Sequence, residues 1–247
     1  MVRQASHAAP PTRGPCYTAC VVSSAPEVGV RYTVPQVRTG WELSEESMPE
    51  STVHDEAVDF LKLLLLAWAA RVGNARVARN LAVRWDASHP KNGVDPDVCV
   101  LSPPPPGSPD LTSLLTWQAG HAPPLLAIEV VSENNPRKDY VVAPDKYAAS
   151  GTRELWIFDP LLAGPASQGG PHRLQVWSRT EGELVRVYAG PGPVWSPALG
   201  ACLVPIEGGR KLRIAEDLEG TKVWMTAEEA ALARVAELEA ELARRVR

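Results

Sequence analysis

LLAIEVVSENNPRKDYVVAPDKYAASGTRELWIFDP, residues 125–160, contains two apolar segments with a more polar segment between them. Residues 125–131 are apolar on both faces apart from Glu129, a pattern typical of a central strand that helices cover. The ELWIF segment predicts a second buried strand, which ends at an Asp-Pro pair. Between the two strands we expect a helix around 145–150, stopped by Gly151. The stretch therefore predicts a strand–helix–strand unit of an α/β protein.

A carboxylate accompanies each of two apolar strands. The segment GVDPDVCVL places Asp97 directly before one strand, and Glu129 lies within the next. Burying a carboxylate among apolar side chains is costly unless a cation, a proton or a hydrogen-bond partner compensates. A hard divalent metal ion shared by both acids is the natural candidate, and the Val130 carbonyl would add an oxygen ligand. Lys138 and Lys146, which follow, are candidates for a cation near the reacting group.

Each of these acids also has a structural interpretation. Asp97 follows a proline, so its side chain could accept hydrogen bonds from backbone amides in a turn. Glu129 could form a buried salt bridge, although it would then have to find its cation within a sheet. Asp139 is interpreted as a helix cap, and Tyr147 and Trp156 are interpreted as core residues.

The flanking sequence predicts further elements. Ser51 and Thr52 are candidate N-caps of a helix. Glu56, interpreted as a solvated acid, falls on the solvent-facing side of this helix. Its apolar residues repeat at spacings of three and four: Val58, Leu61, Leu64, Leu65 and Trp68. The alternating residues 81–85 predict a strand with one buried face. The segments RLQVWS and LVRVY predict an antiparallel hairpin joined through a Thr-Glu-Gly turn.

The C-terminal segment predicts an amphipathic helix. Thr226 and Glu229 have the spacing of a capping box. The helix that follows is rich in Ala, Glu and Arg, with acids early and arginines late, as the helix dipole favours. Its apolar stripe consists of Leu232, Val235, Leu238, Leu242 and Val246. The stripe is short for an autonomous coiled coil, so the helix either docks on the domain or pairs with another copy to form a homodimer.

Length and composition indicate a folded, soluble protein. The chain has 247 residues, of which 45% are hydrophobic and 22% charged, enough for one domain with tails. Residues 1–30, rich in Ala, Pro, Ser and Gly, are predicted to be a flexible tail, 31–215 the domain, and 216–247 the helical segment. No apolar stretch approaches the roughly 20 residues that cross a bilayer, and no secretory signal is evident, so we expect a cytoplasmic protein.

The net charge and the absence of several common motifs limit the classes of function that the sequence supports. The formal net charge of -4 gives no global positive field toward nucleic acid, so basic contacts would have to be local. Four cysteines are too few and scattered for a disulfide framework, and a metal clip of Cys16, Cys20 and His7 is disfavoured by their uneven spacing. The sequence has no Gly-rich phosphate loop, nucleophile elbow or paired-histidine metalloprotease signature.

DPDVCVL, residues 125–160 and the C-terminal helix together resemble the Uma-type (Uma-two) restriction endonuclease family of the PD-(D/E)XK nuclease superfamily. The similarity spans roughly residues 35–215 and is strongest over 94–160. It implies a restriction-endonuclease-like α/β fold, with a mixed central sheet flanked by helices and a C-terminal amphipathic helix. It also implies a magnesium-dependent endonuclease acting on DNA, with manganese as an alternative ion and with Asp97 and Glu129 as metal-binding acids.

The chain departs from the family pattern at the lysine. In the simplest form of the motif the lysine stands two residues after the glutamate, where this sequence has Val131. Members of the family resemble a variant of the motif in which the following helix supplies the lysine. Aligned directly with that variant, this sequence would have the lysine near Ala143. Lys146 lies one helical turn from Ala143 and is slightly preferred to Lys138, which lies nearer the strand end. The alternative function is a catalytically inactive nuclease-fold module that binds or assembles through its C-terminal helix.

Overall fold

A computed structural model of the chain describes residues 51–106 and 111–246. The predicted N-terminal tail, the start of the predicted domain and the cysteine clip lie outside the described residues. The described part is an α/β structure with a mixed central sheet, flanking helices and a C-terminal helix. The predicted fold class is therefore confirmed.

The described residues include three α-helices. Helix α1 covers Thr52–Val72 and begins at the predicted N-cap, Ser51. Helix α2 covers Ala143–Ser150 and ends at Gly151, as predicted, but it directly follows a π-helical segment, Lys138–Val142. Helix α3 covers Ala227–Arg245, and its first turn has the predicted capping box of Thr226 and Glu229.

Strands make up most of the remaining regular structure. The strands β1 to β6 are Arg76–Ala78, Ala82–Arg84, Val98–Leu101, Ser113–Leu115, Leu126–Val130 and Glu154–Phe158. The strands β7 to β11 are Leu174–Thr180, Glu183–Gly190, Val194–Ser196, Ala201–Ile206 and Lys211–Ala215. Strands β7 and β8 form the predicted hairpin, and Glu181 and Gly182 at its turn both have positive φ, the backbone geometry of a two-residue hairpin loop.

The central sheet has six strands in the order β1-β3-β5-β6-β7-β8. Strands β5 and β6 are parallel because the helical segment between them returns the chain to the same end of the sheet, and the other neighbours are antiparallel. A parallel pair, β2 and β4, and an antiparallel sheet, β11-β10-β9, complete the described strands.

The central sheet is covered on both faces, and its middle strands β3, β5 and β6 are buried throughout. On one face its side chains pack with α1 and with the three-stranded sheet. On the other face they pack with α2 and with the β2–β4 pair. Alternate residues of a strand point to opposite faces, and Ala127 and Val131 both belong to the α2 side. Glu129 lies between them and therefore faces α2.

The predicted cap role of Asp139 is wrong. The helical backbone already begins at Pro136, so Asp139 lies inside the π-helical segment, where its side chain is buried. A proline suits the first position of a helix, because the amide that it lacks would have no partner there. The apolar pattern did not reveal this earlier start, since residues 133–138 contain no apolar side chain other than proline.

The contacts of helix α3 with the rest of the described chain are concentrated at its first turn. There Arg213 on β11 makes two hydrogen bonds to the Glu229 carboxylate, at 2.8 and 2.9 Å, and this guanidinium lowers the pKa of Glu229 to about 2. None of the α3 residues is buried. No helix within residues 51–106 and 111–246 combines the length and apolar character needed to cross a membrane.

Candidate metal and nuclease site

The two predicted acids lie opposite each other at the ends of neighbouring strands. Strands β3 and β5 run antiparallel, with Val98 paired to Ile128. Continuing this register by one residue places Asp97 opposite Glu129. Directly opposite residues of an antiparallel pair have their side chains on the same face and close together. The strand register thus brings together two residues that are far apart in the sequence.

Asp97 is held by one of its two carboxylate oxygens. Its Oδ2 accepts a hydrogen bond of 2.8 Å from the Val130 backbone N–H, and Nε2 of His54 lies 3.3 Å from the same oxygen. Within the described part of the chain, no hydrogen bond reaches Oδ1. The backbone contact agrees with the structural interpretation of Asp97, except that the amide belongs to the neighbouring strand and not to a turn. Asp97 is therefore oriented and keeps one oxygen for a ligand.

Glu129 is fully buried, with 0% of its surface exposed. The Tyr147 hydroxyl on α2 donates a hydrogen bond of 2.6 Å to Oε1. No described residue forms a hydrogen bond with Oε2, and the Lys138 ammonium nitrogen lies 3.7 Å from this oxygen. The Lys138 side chain is 52% exposed, so the ion pair joins a buried acid to a lysine at the surface. This contact is the salt bridge of the structural interpretation, with its cation supplied from outside the sheet.

The surroundings of Glu129 favour its neutral form. Burial raises the pKa of Glu129 well above its usual range, and the negative charge of Asp97 raises it further, while the Lys138 ammonium lowers it. Burial and the nearby Glu129 also raise the pKa of Tyr147, so its hydroxyl stays protonated and donates. A buried carboxylate next to another acid is stabilised in its charged form by a bound cation, because the cation offsets both the lost hydration and the repulsion.

A cleft of about 120 Å³ opens beside Glu129. Lys138 and Lys146, the two candidate lysines, both line it, and so does Asp95. Ala143, the position near which the family resemblance places the lysine, also lines the cleft and is only 3% exposed. Asp97 is not among the residues that line this cleft in the described part of the chain.

The two lysines differ in their distance from the acids. Lys138 contacts the Glu129 carboxylate directly, and its Nζ also lies 3.8 Å from Asp139 Oδ1. Lys146 is an exposed residue of α2 at the wall of the cleft. The structure thus brings Lys138 closest to Glu129, whereas the sequence slightly favoured Lys146.

Two carboxylate oxygens of the site fit the oxygen ligands that a hard divalent cation takes. The buried Glu129 Oε2 has no hydrogen-bond donor among the described residues, and Asp97 keeps one oxygen that accepts none. The described residues contain no cluster of three or more His, Cys, Asp or Glu with metal-binding geometry. Magnesium does not require such a cluster, since it is commonly held by one or two carboxylates and keeps several waters.

Three contributions to the site were not foreseen from the sequence. His54 contacts Asp97 from α1, Asp95 lines the cleft, and the Tyr147 hydroxyl binds Glu129. His54 lies four residues before Val58 on the buried face of α1, so helical spacing was a signal that this histidine points inward. Asp95 and Asp97 stand on either side of a proline in the sequence. This spacing did not show whether Asp95 lines a cleft or lies in a turn.

Acids at the ends of adjacent strands, a contacting lysine and a helix-covered cleft together form the candidate site. The comparison with protein families gives the class of protein. Residues 42–199, more than half of the chain, match the family model described as "Uma2: Putative restriction endonuclease". The chain belongs to this Uma2 family.

Two further comparisons complete the findings. One crystal structure, described as a putative nuclease belonging to DUF820 from Anabaena variabilis ATCC 29413, is similar to this chain at 17% sequence identity with a TM-score of 0.43. The similarity covers 62% of this chain and 75% of that one. No curated protein matches the chain at a significant level.

The raised pKa of Glu129 predicts that Glu129→Gln stabilises the fold as pH rises. The folded state holds the Glu129 proton more tightly than the unfolded chain does, so stability is lost as pH increases through the raised pKa. The glutamine variant stays neutral, and its amide oxygen still accepts from Tyr147. We expect a gain on the order of 1–3 kcal/mol at alkaline pH, the scale of an uncompensated buried polar group, and little gain in acid.

Thermal unfolding without divalent ions measures this effect, at about 2–4 °C per kcal/mol for a chain of this size. Glu183→Gln, at an exposed position of β8, is the matched control and should show no such trend. A difference in melting temperature between Glu129→Gln and wild type that does not grow from acid to alkaline pH would contradict the prediction.

Proposed function

We propose that this protein is a magnesium-dependent endonuclease that hydrolyses phosphodiester bonds of DNA. The observation that carries the proposal is the strand register that sets Asp97 opposite Glu129, with Oε2 of Glu129 buried beside the Lys138 ammonium. A buried acid such as Glu129 is costly to keep charged unless a cation compensates its charge. Family membership supports the nuclease class, and the PD-(D/E)XK resemblance supports the assignment of the two acids.

Asp97 and Glu129 would hold the metal ion, with the Val130 carbonyl as a further oxygen ligand. A bound magnesium ion polarises the phosphate and lowers the pKa of a bound water. Within the protein, His54 and the Val130 amide fix the orientation of Asp97, and Tyr147 fixes that of Glu129. Manganese, which accepts the same oxygen ligands, is expected to substitute for magnesium.

Lys138 would supply the cation that faces the scissile phosphate. Its ammonium group is near Glu129 but more than half of its side chain is exposed, so it can contact a substrate that enters from solvent. Lys146, on the same cleft wall, adds a second positive charge. With a net charge of -4 on the chain, this local pair must offset repulsion from DNA, so binding should weaken with added salt.

Metal dependence is the first expected result. Purified protein should nick supercoiled plasmid in the presence of magnesium or manganese and should stop when a chelator is added. Isothermal titration should detect a divalent site that is lost in both Asp97→Ala and Glu129→Ala. Cleavage that survives chelation, or metal binding that survives both substitutions, would contradict the proposed site.

A second candidate function is supported by Ala143. The family resemblance places a lysine near this position, and here the small apolar side chain is packed into the cleft wall. A chain that lacks this lysine could keep the fold as a non-catalytic binding or assembly module. Metal binding and DNA binding without any cleavage, across both metals and both single- and double-stranded substrates, would favour the module.

A further inference from the structure

Helix α3 has an apolar surface that the described part of the chain does not cover. We call Leu232, Val235, Leu238 and Leu242 the α3 stripe, and their exposure ranges from 42% to 63%. They recur at spacings of three and four along one side of the helix. A helix of 19 residues with no buried residue has little packing to stabilise it in water. The α3 stripe therefore needs a covering surface.

We propose that the α3 stripes of two copies of this chain pack against each other in antiparallel orientation. The charges beside the stripe carry this inference. Arg234 and Glu241 lie on the same flank of the helix, seven residues apart. When Val235 of one copy packs against Leu238 of the other, Arg234 of each copy comes beside Glu241 of the other. A twofold axis thus creates two identical ion pairs, which is the self-complementarity of a symmetric dimer.

Arg234 and Glu241 can exchange their present partners within the helix for partners on a second helix. Arg234 pairs with Glu237 at 2.9 Å, and Glu241 pairs with Arg245, all within exposed parts of the same helix. Exposed pairs at such spacings contribute little to stability, so exchanging them for pairs between helices costs little. Burial of the stripe then supplies the main driving force for association.

The antiparallel orientation follows from the ends of α3. Its first turn carries Glu228 and Glu229, and its last turn carries Arg244 and Arg245. A parallel pair would place acids beside acids and arginines beside arginines, and it would align the two helix dipoles. The first turn is also tied to its own domain through Arg213 and Glu229, so antiparallel packing keeps the two domains at opposite ends of the helix pair.

Light scattering and sedimentation of the full chain test the association. Wild type should be a dimer that dissociates on dilution. Leu238→Glu, which places a charge in the middle of the stripe, should raise the dissociation constant by at least about 100-fold, the scale of burying an unpaired charge. Ala240→Glu, at an exposed position on the opposite side of the helix, is the matched control and should leave it unchanged. A wild type that stays monomeric at all concentrations, or a dimer unaffected by Leu238→Glu, would overturn the proposal.

Charge reversal tests the orientation. Arg234→Glu alone and Glu241→Arg alone should each weaken the dimer by about 10-fold, because each turns two attractive pairs into repulsive ones. The double variant Arg234→Glu/Glu241→Arg should recover most of the wild-type affinity, since it recreates both pairs with the charges exchanged. Glu183→Arg, which makes the same charge change at an exposed position of β8 away from α3, should have no effect. A double variant as weak as the single variants would overturn the antiparallel arrangement, and circular dichroism would verify that every variant keeps α3 helical.

Discussion

Asp97→Asn and Glu129→Gln should each reduce magnesium-dependent DNA cleavage by about 10²- to 10³-fold, the scale of removing one group that stabilises developing charge. Both substitutions keep the size and shape of the side chain. The asparagine can still accept a hydrogen bond from the Val130 amide, and the glutamine can still accept one from Tyr147. The expected loss therefore comes from the missing negative charge and not from a rearranged strand.

The stability measurement separates this result from simple unfolding. Glu129→Gln is expected to be more stable than wild type at alkaline pH and yet to have lost cleavage, a combination that damage to the fold cannot produce. Glu183→Gln, at an exposed position of β8, is the activity control. If either Asp97→Asn or Glu129→Gln cleaves plasmid at the rate of the Glu183→Gln control, that acid is not part of the site.

Lys138→Met should lower the cleavage rate by about 10²-fold, whereas Lys146→Met should lower it by less than about 10-fold. Methionine keeps the apolar stem and removes the ammonium group. Lys138 lies 3.7 Å from the Glu129 carboxylate, while Lys146 only lines the cleft that this carboxylate opens onto. An ammonium group that contacts the acid is better placed to face the phosphate than one at the rim.

Single-turnover kinetics with saturating enzyme would measure the two lysine variants at the chemical step. If Lys146→Met loses more of the cleavage rate than Lys138→Met does, Lys146 is the lysine of the site, as sequence spacing slightly favoured. Equal rates in wild type and both variants would mean that neither lysine acts in turnover. Metal affinity is an independent measurement, because removing a positive charge beside Glu129 should leave divalent binding intact or strengthen it.

Much of the sheet could be predicted because its strands are buried on both sides. The segments before and after the helical connection are continuous runs of apolar residues, and each became a strand of the central sheet. A single acid in such a run, Glu129, is conspicuous because every neighbour is apolar. The hairpin and helix α1 could also be predicted, because their apolar residues recur with periods of two and of three to four residues.

The remaining parts of the site depend on contacts that no local pattern records. The pairing of β3 with β5 sets which residue faces Glu129, and sequence spacing gives no register for strands that are not joined by a tight turn. His54 reaches Asp97 only because α1 packs across that end of the sheet. The distance from Lys138 to Glu129 depends on the π-helical segment, whose start lies in residues without apolar periodicity.

The π-helical segment carries Lys138, so the proposed site has an interior part and a surface part. Substitutions in the two parts differ in their effect on folding stability. Glu129 belongs to the interior of the sheet, where substitutions change folding stability, but Lys138 projects from a helical turn at the surface. π-Helical turns interrupt the regular hydrogen-bond pattern and often occur at functional positions. Mutations in this turn can therefore add, move or remove the ammonium group while the interior stays intact. Under the proposed function, variants of this chain would accordingly gain or lose turnover through exterior changes alone, while the protein stays folded and abundant.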